Sequence, residues 1–505
     1  MARHNSSSRT KGEGEPPRWK TVAVLAGGLI FNLTMGSMYT FGNLNLYITS
    51  YMRHKSHIPI RYKDTAWITT SAVIGGGLMI PFGGKLEQTI GPRWGALLGG
   101  FLMSSGVLLS AWTVRSYPLF LLTYGIQFGL ANGIAFPCPL ACAFRWMPKR
   151  RGLASGVILS GVGLSALVLG PIQTWYVNPD NVRPDVAPYA AHPEERYFDD
   201  PQVLDRLPKL FFWSGLVYGV IQFIGACLLI DPPEPSPPPY SHRKRVSTEA
   251  DESSEAHMLH RVVDPQLSPS EALTTPQFWL LWALFFLNSH VVSFLATFWK
   301  VLGHSEGRLS DHTLAYMGST TAAIANCLGR VGWGYLTDQF TFKFCVMALA
   351  LIVCVFGLSI RWAARWGVVP FFVWLFALYF CVGGNFAMFP AATAHTFGAQ
   401  HFGPNYGLIY TARVASSLLV ASLLAYTYHP AGLAGVTFCI GMCSLLSIFL
   451  AAFFDPQPLR LRLDAFQSDV PISTTERQVH HAPPWQTRHH FRERKRGHQR
   501  QYAAR

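Results

Sequence analysis

Charge is scarce in this chain. Only 13% of its 505 residues are Asp, Glu, Lys or Arg, whereas soluble domains run near a quarter. Acids are scarcest within the apolar stretches, whose interiors hold no Asp or Glu. That shortage excludes the row of water-soluble domains that length alone would suggest. Cysteine is missing from every long polar segment. The nine cysteines are Cys138, Cys142, Cys227, Cys327, Cys345, Cys354, Cys381, Cys439 and Cys443, and all fall in apolar stretches. Cys138/Cys142 and Cys439/Cys443 stand one helical turn apart, which is not a zinc-ligand spacing. Buried free thiols are expected, with no disulfide, metal or cofactor. The first twenty residues are polar and basic, and the first apolar run is too long for a leader's h-region, so no cleavable signal peptide is expected.

What is present is apolar length. Half the residues are hydrophobic and 14% are aromatic. They gather in runs of the roughly 20 residues needed to cross a bilayer. The first six runs are Val22–Ile48, Ala66–Leu86, Ala96–Val114, Leu119–Phe144, Leu153–Tyr176 and Leu210–Ile230. The second six are Phe278–Val301, Thr313–Leu336, Phe344–Trp362, Val368–Thr393, Tyr406–Tyr428 and Leu433–Phe454. The expected fold class is all-α: a polytopic membrane protein of about twelve spans in two pseudo-symmetric six-helix bundles.

The net charge of +14 is concentrated in the tails and a few loops. The basic residues flank apolar runs, which the positive-inside rule explains, and no nucleic-acid partner is expected. Arg145, Lys149, Arg150 and Arg151 follow the fourth run, Arg243, Lys244 and Arg245 lie between the sixth and seventh, and both tails are basic. An even span count puts all of these on one side, the cytosol. The first outer loop is an exception. It carries Arg53, Lys55, Arg61 and Lys63, which could gather anions at the outer mouth. The expected organisation is a cytosolic tail at 1–20, a six-helix bundle at 21–231, a Pro/Ser-rich disordered linker at 232–276, a second bundle at 277–455, and a basic cytosolic tail at 456–505.

The halves repeat weakly. GGKLEQTIGPRWG at 83–95 follows the second run and GYLTDQF at 334–340 follows the eighth. Phe136-Pro137 recurs as Phe389-Pro390, and Gly152-Leu153 as Gly407-Leu408. Such a repeat fits a two-half transporter with its site near the bilayer midplane. The dense glycine of the fourth and fifth runs suits close helix packing better than a phosphate loop.

Two residues then demand a reason. Arg330 lies deep in the eighth run and Arg413 inside the eleventh. A cation at mid-helix costs about 2.5–3.5 kcal/mol, and two cost about 5–7 if uncompensated. With no acid available in the spans, a small anion is the natural partner. Guanidinium holds carboxylate through a paired, charge-assisted fork and stays protonated at every relevant pH. Tyr39, Asn43, Tyr124, Gln127 and Asn385 could line such a cavity and orient carboxylate oxygens, although each could equally serve interhelical packing. His290 and His395 are candidate proton carriers, against the blander reading of packed helix histidines. Lys300 is expected to snorkel to the interface.

These motifs resemble the major facilitator superfamily. The loop at 83–95 is similar to its loop signature, with Gly84, Leu86, Gly91 and Arg93 in place, Gln88 where an aspartate is usual and Glu87 beside it; Asp338 keeps the acid in the second copy. The resemblance implies that Gly84, Glu87, Arg93 and Asp338 secure a cytoplasmic gate. Within the superfamily the chain resembles oxalate/formate antiporters and monocarboxylate transporters. The resemblance rests on FRWMPKRRGLASGVILSGVG at 144–163, GRVGWGYLTD at 329–338 and FPAATAHTFGAQHFGPNYGLIYTAR at 389–413. It implies that Arg330 matches the eighth-helix arginine that binds substrate in both branches, and that Arg413 matches the oxalate antiporter's eleventh-helix lysine. Asn43 and Asn326 stand where monocarboxylate transporters carry a lysine and an aspartate that serve proton coupling.

The expectation is a secondary transporter, not an enzyme. It would carry small mono- or dicarboxylates such as oxalate, formate, pyruvate or lactate by alternating access and anion exchange, as a functional monomer in the lipid bilayer. Proton-coupled monocarboxylate transport is the alternative, and a non-transporting sensor or scaffold is the alternative of another class. The plasma membrane is favoured over an organelle. The charge pattern predicts that cysteines placed at Ser247 and Ser473 resist an impermeant maleimide in intact cells and label after permeabilisation. Labelling of intact cells would overturn the orientation.

Overall fold

The computed structural model describes residues 18–184, 186, 196–232, 266–307, 309 and 313–455. Most of the linker and the two tails therefore lie outside the described residues. The described chain is almost wholly helical. We name its helices α1 (Arg18–His54), α2 (Tyr62–Ile90), α3 (Pro92–Thr113), α4 (Tyr117–Trp146), α5 (Arg151–Val177) and α6 (Pro201–Cys227). The second half holds α7 (Pro276–Ser305), α8 (Ser319–Gln339), α9 (Phe342–Trp366) and α10 (Val368–Phe397). Phe402–Ala452 is helical throughout. Its first part, 402–420, is called α11, and its last, Ala434–Ala452, α12.

Among the described residues, nine helices are long and apolar enough to cross a membrane. Of the three other expected spans, α2 and α8 are helical but less apolar, and α11 is helical. They line the seams between the halves, α2 packing on α11 and α8 on α5, so part of each surface meets protein instead of lipid. A shift of six spans exchanges the two seams, as a two-half repeat requires.

Small residues set the seam distance. A methyl group on Gly156 would overlap the Arg330 carbonyl, and one on Gly84 would overlap the backbone at Gly403. Both close approaches lie toward the end carrying the 83–95 and 334–340 loops, so the halves are packed together there. The first span is broken by a tight turn at Gly36–Thr40, where Gly36 abuts Val162 and Ser165 of α5.

Residues 266–275, placed in the linker by composition, are ordered. Pro269–Leu273 forms a short helix with a reciprocal Ser268/Glu271 cap, and the Leu267 N–H donates to the Phe397 carbonyl at 2.9 Å. The basic outer loop is also committed. Lys55 pairs with Asp205 at 2.8 Å, Arg53 lies 4.7 Å over the Tyr197 ring and donates to the Ile60 carbonyl at 2.9 Å. These cations are tied into the rim. Lys300 lies 5.8 Å over the Trp299 ring.

Just beyond α7, Glu306 joins two arginines of α9. Its oxygens lie 2.5 Å from Arg361 and 2.6 Å from Arg365. Burial raises the carboxyl's pKa, but hydrogen bonds and charge from the two arginines outweigh that and hold it below its ordinary 4.5. A depressed acid contributes stability above its unfolded pKa and loses it as pH falls through the folded value. Glu306→Gln should therefore cost about 1 kcal/mol at pH 7 and less at pH 3. Thermal unfolding of wild type and variant at both pH values tests this; equal midpoints at pH 7 would refute it.

Candidate functional site

Arg330 is the largest of the fully enclosed side chains, with 2% of its surface exposed. The small residues Gly329 and Gly383 let α8 and α10 approach closely around it. Its Nε donates to Asn326 Oδ1, one turn earlier, at 2.8 Å. The guanidinium lies 4.9 Å over the Phe386 ring of α10, a cation–π contact that offsets part of the desolvation cost. Tyr39, from the tight turn of α1, lies within electrostatic range of the guanidinium from the other half. Tyr39 is itself 51% exposed, so it covers the arginine from an accessible side.

Arg413 is half-buried on α11. It donates to Ser293 Oγ of α7 at 3.1 Å and to Ser417 Oγ one turn further on. On the same face of α7, His290 Nδ1 lies 2.9 Å from the Phe286 carbonyl and 3.2 Å from Ser416 Oγ. Tyr410 lies within electrostatic range of Arg413, Arg330 and Tyr39, so it links the two arginines. Among the described residues, neither arginine forms an ion pair. Their partners are amide and hydroxyl dipoles and one ring.

Below the arginines, toward the closed end, lies an aromatic layer. Phe136 of α4 is 5.9 Å from Tyr406 and 6.1 Å from Tyr410. Phe285 of α7 is 5.8 Å from Tyr410 and 4.6 Å from Phe389 of α10. Both copies of the repeated Phe-Pro pair thus join one floor. It lies between the arginines and the packed loops.

Of the other sequence candidates, Tyr39 and Asn326 join Arg330, but the rest do not join the arginines. Tyr124 is enclosed within the first half, stacked 5.2 Å from Phe120 and edge-on to Phe211 at 5.3 Å. Gln127 spends its amide on α3, donating to the Leu102 carbonyl at 3.0 Å and Ser105 Oγ at 3.1 Å. Asn43 is exposed and donates to Thr174 Oγ1 of α5 at 2.6 Å. Asn385 reaches the Asn288 carbonyl of α7 at 3.4 Å. Polarity marks depth in a span but not direction. Sequence reasoning passed over Tyr406, Tyr410, Phe386, Ser293 and Ser417. A signal existed for three of them: Tyr406, Tyr410, Arg413 and Ser417 recur at helical spacing on one face of α11.

The loop residues form two unlike latches. Gly84 meets Gly403 across the α2–α11 seam. Glu87 pairs with Arg145 at 2.5 Å, and Arg145 with Asp231 at 2.8 Å. Arg93 Nε donates to the Leu229 carbonyl at 3.2 Å. All three of those contacts stay within the first half. Gln88 reaches across to the start of α11, its amide donating to the Gln400 carbonyl at 2.9 Å. Asp338 crosses the other seam. Its carboxylate accepts the Gly152 and Leu153 N–H groups at 2.7 Å each, capping the start of α5.

A family model described as Major Facilitator Superfamily matches residues 29–340. The chain is 30% identical to Apicoplast pyruvate carrier 1 of Toxoplasma gondii, over 87% of this chain and 90% of that protein. It is 25% identical to the Oxalate:formate antiporter of Oxalobacter formigenes, over 82% of this chain and 86% of that protein. Monocarboxylate transporter 13 of Bos taurus matches a shorter stretch, 28% identical over 32% of this chain and 37% of its own. Among solved structures, the transporter FucP in its outward conformation superposes with a TM-score of 0.59 at 14% identity, covering 86% of this chain and 99% of that one.

Proposed function

The chain belongs to the Major Facilitator Superfamily and is a multi-pass membrane transporter, and from that premise we propose that it carries small carboxylates by alternating access, exchanging one anion for another. The observation that carries this reading is the arginine pair, held mid-span, among the described residues, by neutral partners. Relatives named for pyruvate, and for oxalate and formate, support the substrate class.

Arg330 takes one carboxylate through its fork, and Arg413 takes a second carboxylate or the far end of the same molecule. Tyr39 marks the side of entry. In the empty site, closure would seal two cations away from water with only dipoles around them, which costs several kcal/mol. A bound anion removes that cost. The carrier therefore turns over loaded in both directions, which is exchange. The monomer sits in the plasma membrane with both termini in the cytosol, an orientation the maleimide test on intact cells addresses.

A second reading, proton-coupled monocarboxylate transport, is favoured by one observation: the His290 ring, 3.2 Å from Ser416, lies within electrostatic range of Arg413. Against it stand Asn43 and Asn326, where the proton-coupled relatives carry ionisable groups. Counterflow in proteoliposomes decides between them. Exchange of labelled oxalate or pyruvate should require anion inside and persist without a pH gradient or proton uptake. Stoichiometric alkalinisation outside would sink exchange and favour the second reading. No movement of any anion would leave a sensor or scaffold.

The arginines give the direct test. Arg330→Gln and Arg413→Gln should insert normally, because the charge is the costly group, yet each should lose about a hundredfold in carboxylate affinity. Arg413→Lys should retain part of the activity and Arg330→Lys less, since lysine lacks the planar fork. Affinity is to be measured per correctly inserted molecule. Near-normal binding by both glutamine variants would make the arginines structural.

A further inference from the structure

Tyr406 stands out among the enclosed polar groups. Its side chain is fully buried, yet among the described residues its hydroxyl has no hydrogen-bond partner. Buried polar atoms are almost always paired, so an orphaned hydroxyl calls for a reason. The ring cannot easily turn away to find a partner. It is stacked on Phe136 at 5.9 Å and 15° and on Phe402 at 5.6 Å and 15°. Tyr406, Tyr410 and Arg413 share one face of α11, and Tyr406 lies within electrostatic range of Arg330.

The chemistry of this neighbourhood is one-sided. A guanidinium has five N–H donors and no acceptor, so it cannot receive the tyrosine proton. A phenol hydrogen within electrostatic range of a cation is satisfied by a group that accepts from both. A carboxylate has two oxygens and about four acceptor directions. One oxygen can take the Arg330 fork while the other takes the Tyr406 hydroxyl, in a charge-assisted bond stronger than a neutral one.

We infer that Tyr406 is a further substrate-binding residue: its hydroxyl, at the floor of the site, donates to the carboxylate that Arg330 holds. This rests on the anion-carrier reading and adds to it a specific donor. The empty carrier bears the cost of the orphan, and the loaded carrier recovers it. Stability and affinity should then move in opposite directions when the hydroxyl is removed.

The test uses the purified full-length chain, with oxalate and pyruvate as probes. Tyr406→Phe keeps the ring and its stacking. It should weaken binding about ten- to a hundredfold, while the unfolding midpoint without anion rises by roughly 1–3 °C. A hydroxyl that only packs would leave affinity unchanged, and one with a hidden structural partner would lower the midpoint. Either result overturns the inference. Should the phenylalanine variant fail to fold, 3-fluorotyrosine at position 406 serves instead, since its more acidic hydroxyl should tighten binding; unaltered affinity would count against the proposal. Arg330→Gln runs in parallel. If that variant loses binding while Tyr406→Phe keeps it, the carrier reading stands and Tyr406 falls. If neither loses binding, the carrier reading itself falls.

Discussion

Two guanidinium groups sit where water is scarce and no carboxylate of the described protein reaches them. Much of the surrounding arrangement answers that electrostatic problem. Asn326 and Phe386 hold Arg330 from its own half, and Tyr39 from the other. Ser293 and Ser417 hold Arg413. These dipoles fix the cations without neutralising them. A carboxylate inside the protein would neutralise them. On the proposed reading, the scarcity of acids along the spans serves anion binding as well as membrane insertion.

The fold supplies the second requirement, a site that two rigid bodies share. Seams built on glycine let α5 and α8, and α2 and α11, approach to backbone distance. Such contacts are tight but have few interlocking side chains, so they can part and re-form with little repacking. Between the seams, the aromatic floor separates the arginines from the closed end. Both arginines belong to the second half, while Tyr39 and Phe136 come from the first. The proposed site draws on both halves.

Much of this was legible in the sequence because membrane physics writes large signals. Twenty-residue apolar runs and two mid-span arginines need no structure to be seen, and the repeated loops and Phe-Pro pairs mark the two halves. Of the seam helices, α2 and α8 have the weaker signal, since glycine and polar residues lower their hydropathy, yet their apolar runs still mark them. Tyr124 and Gln127 show where reading stops. Both are polar or aromatic residues at a plausible depth, but α4 turns them toward Phe211 and α3. Rotation about a helix axis is set by packing against neighbours, which a run of letters does not record. Tyr406 was passed over for the opposite reason: a tyrosine in a span looks like packing until its hydroxyl is found without a partner.

The two latches are chemically unequal, and this bears on how the molecule opens. Asp338 offers a charged acceptor to the positive end of α5, whereas Gln88 offers a neutral amide to a carbonyl at the start of α11. Added salt screens the first and hardly touches the second. The α5–α8 edge therefore carries the charged contact and the α2–α11 edge the neutral one. On the proposed carrier reading, the α2–α11 edge is the one whose fastening is indifferent to salt as the halves part.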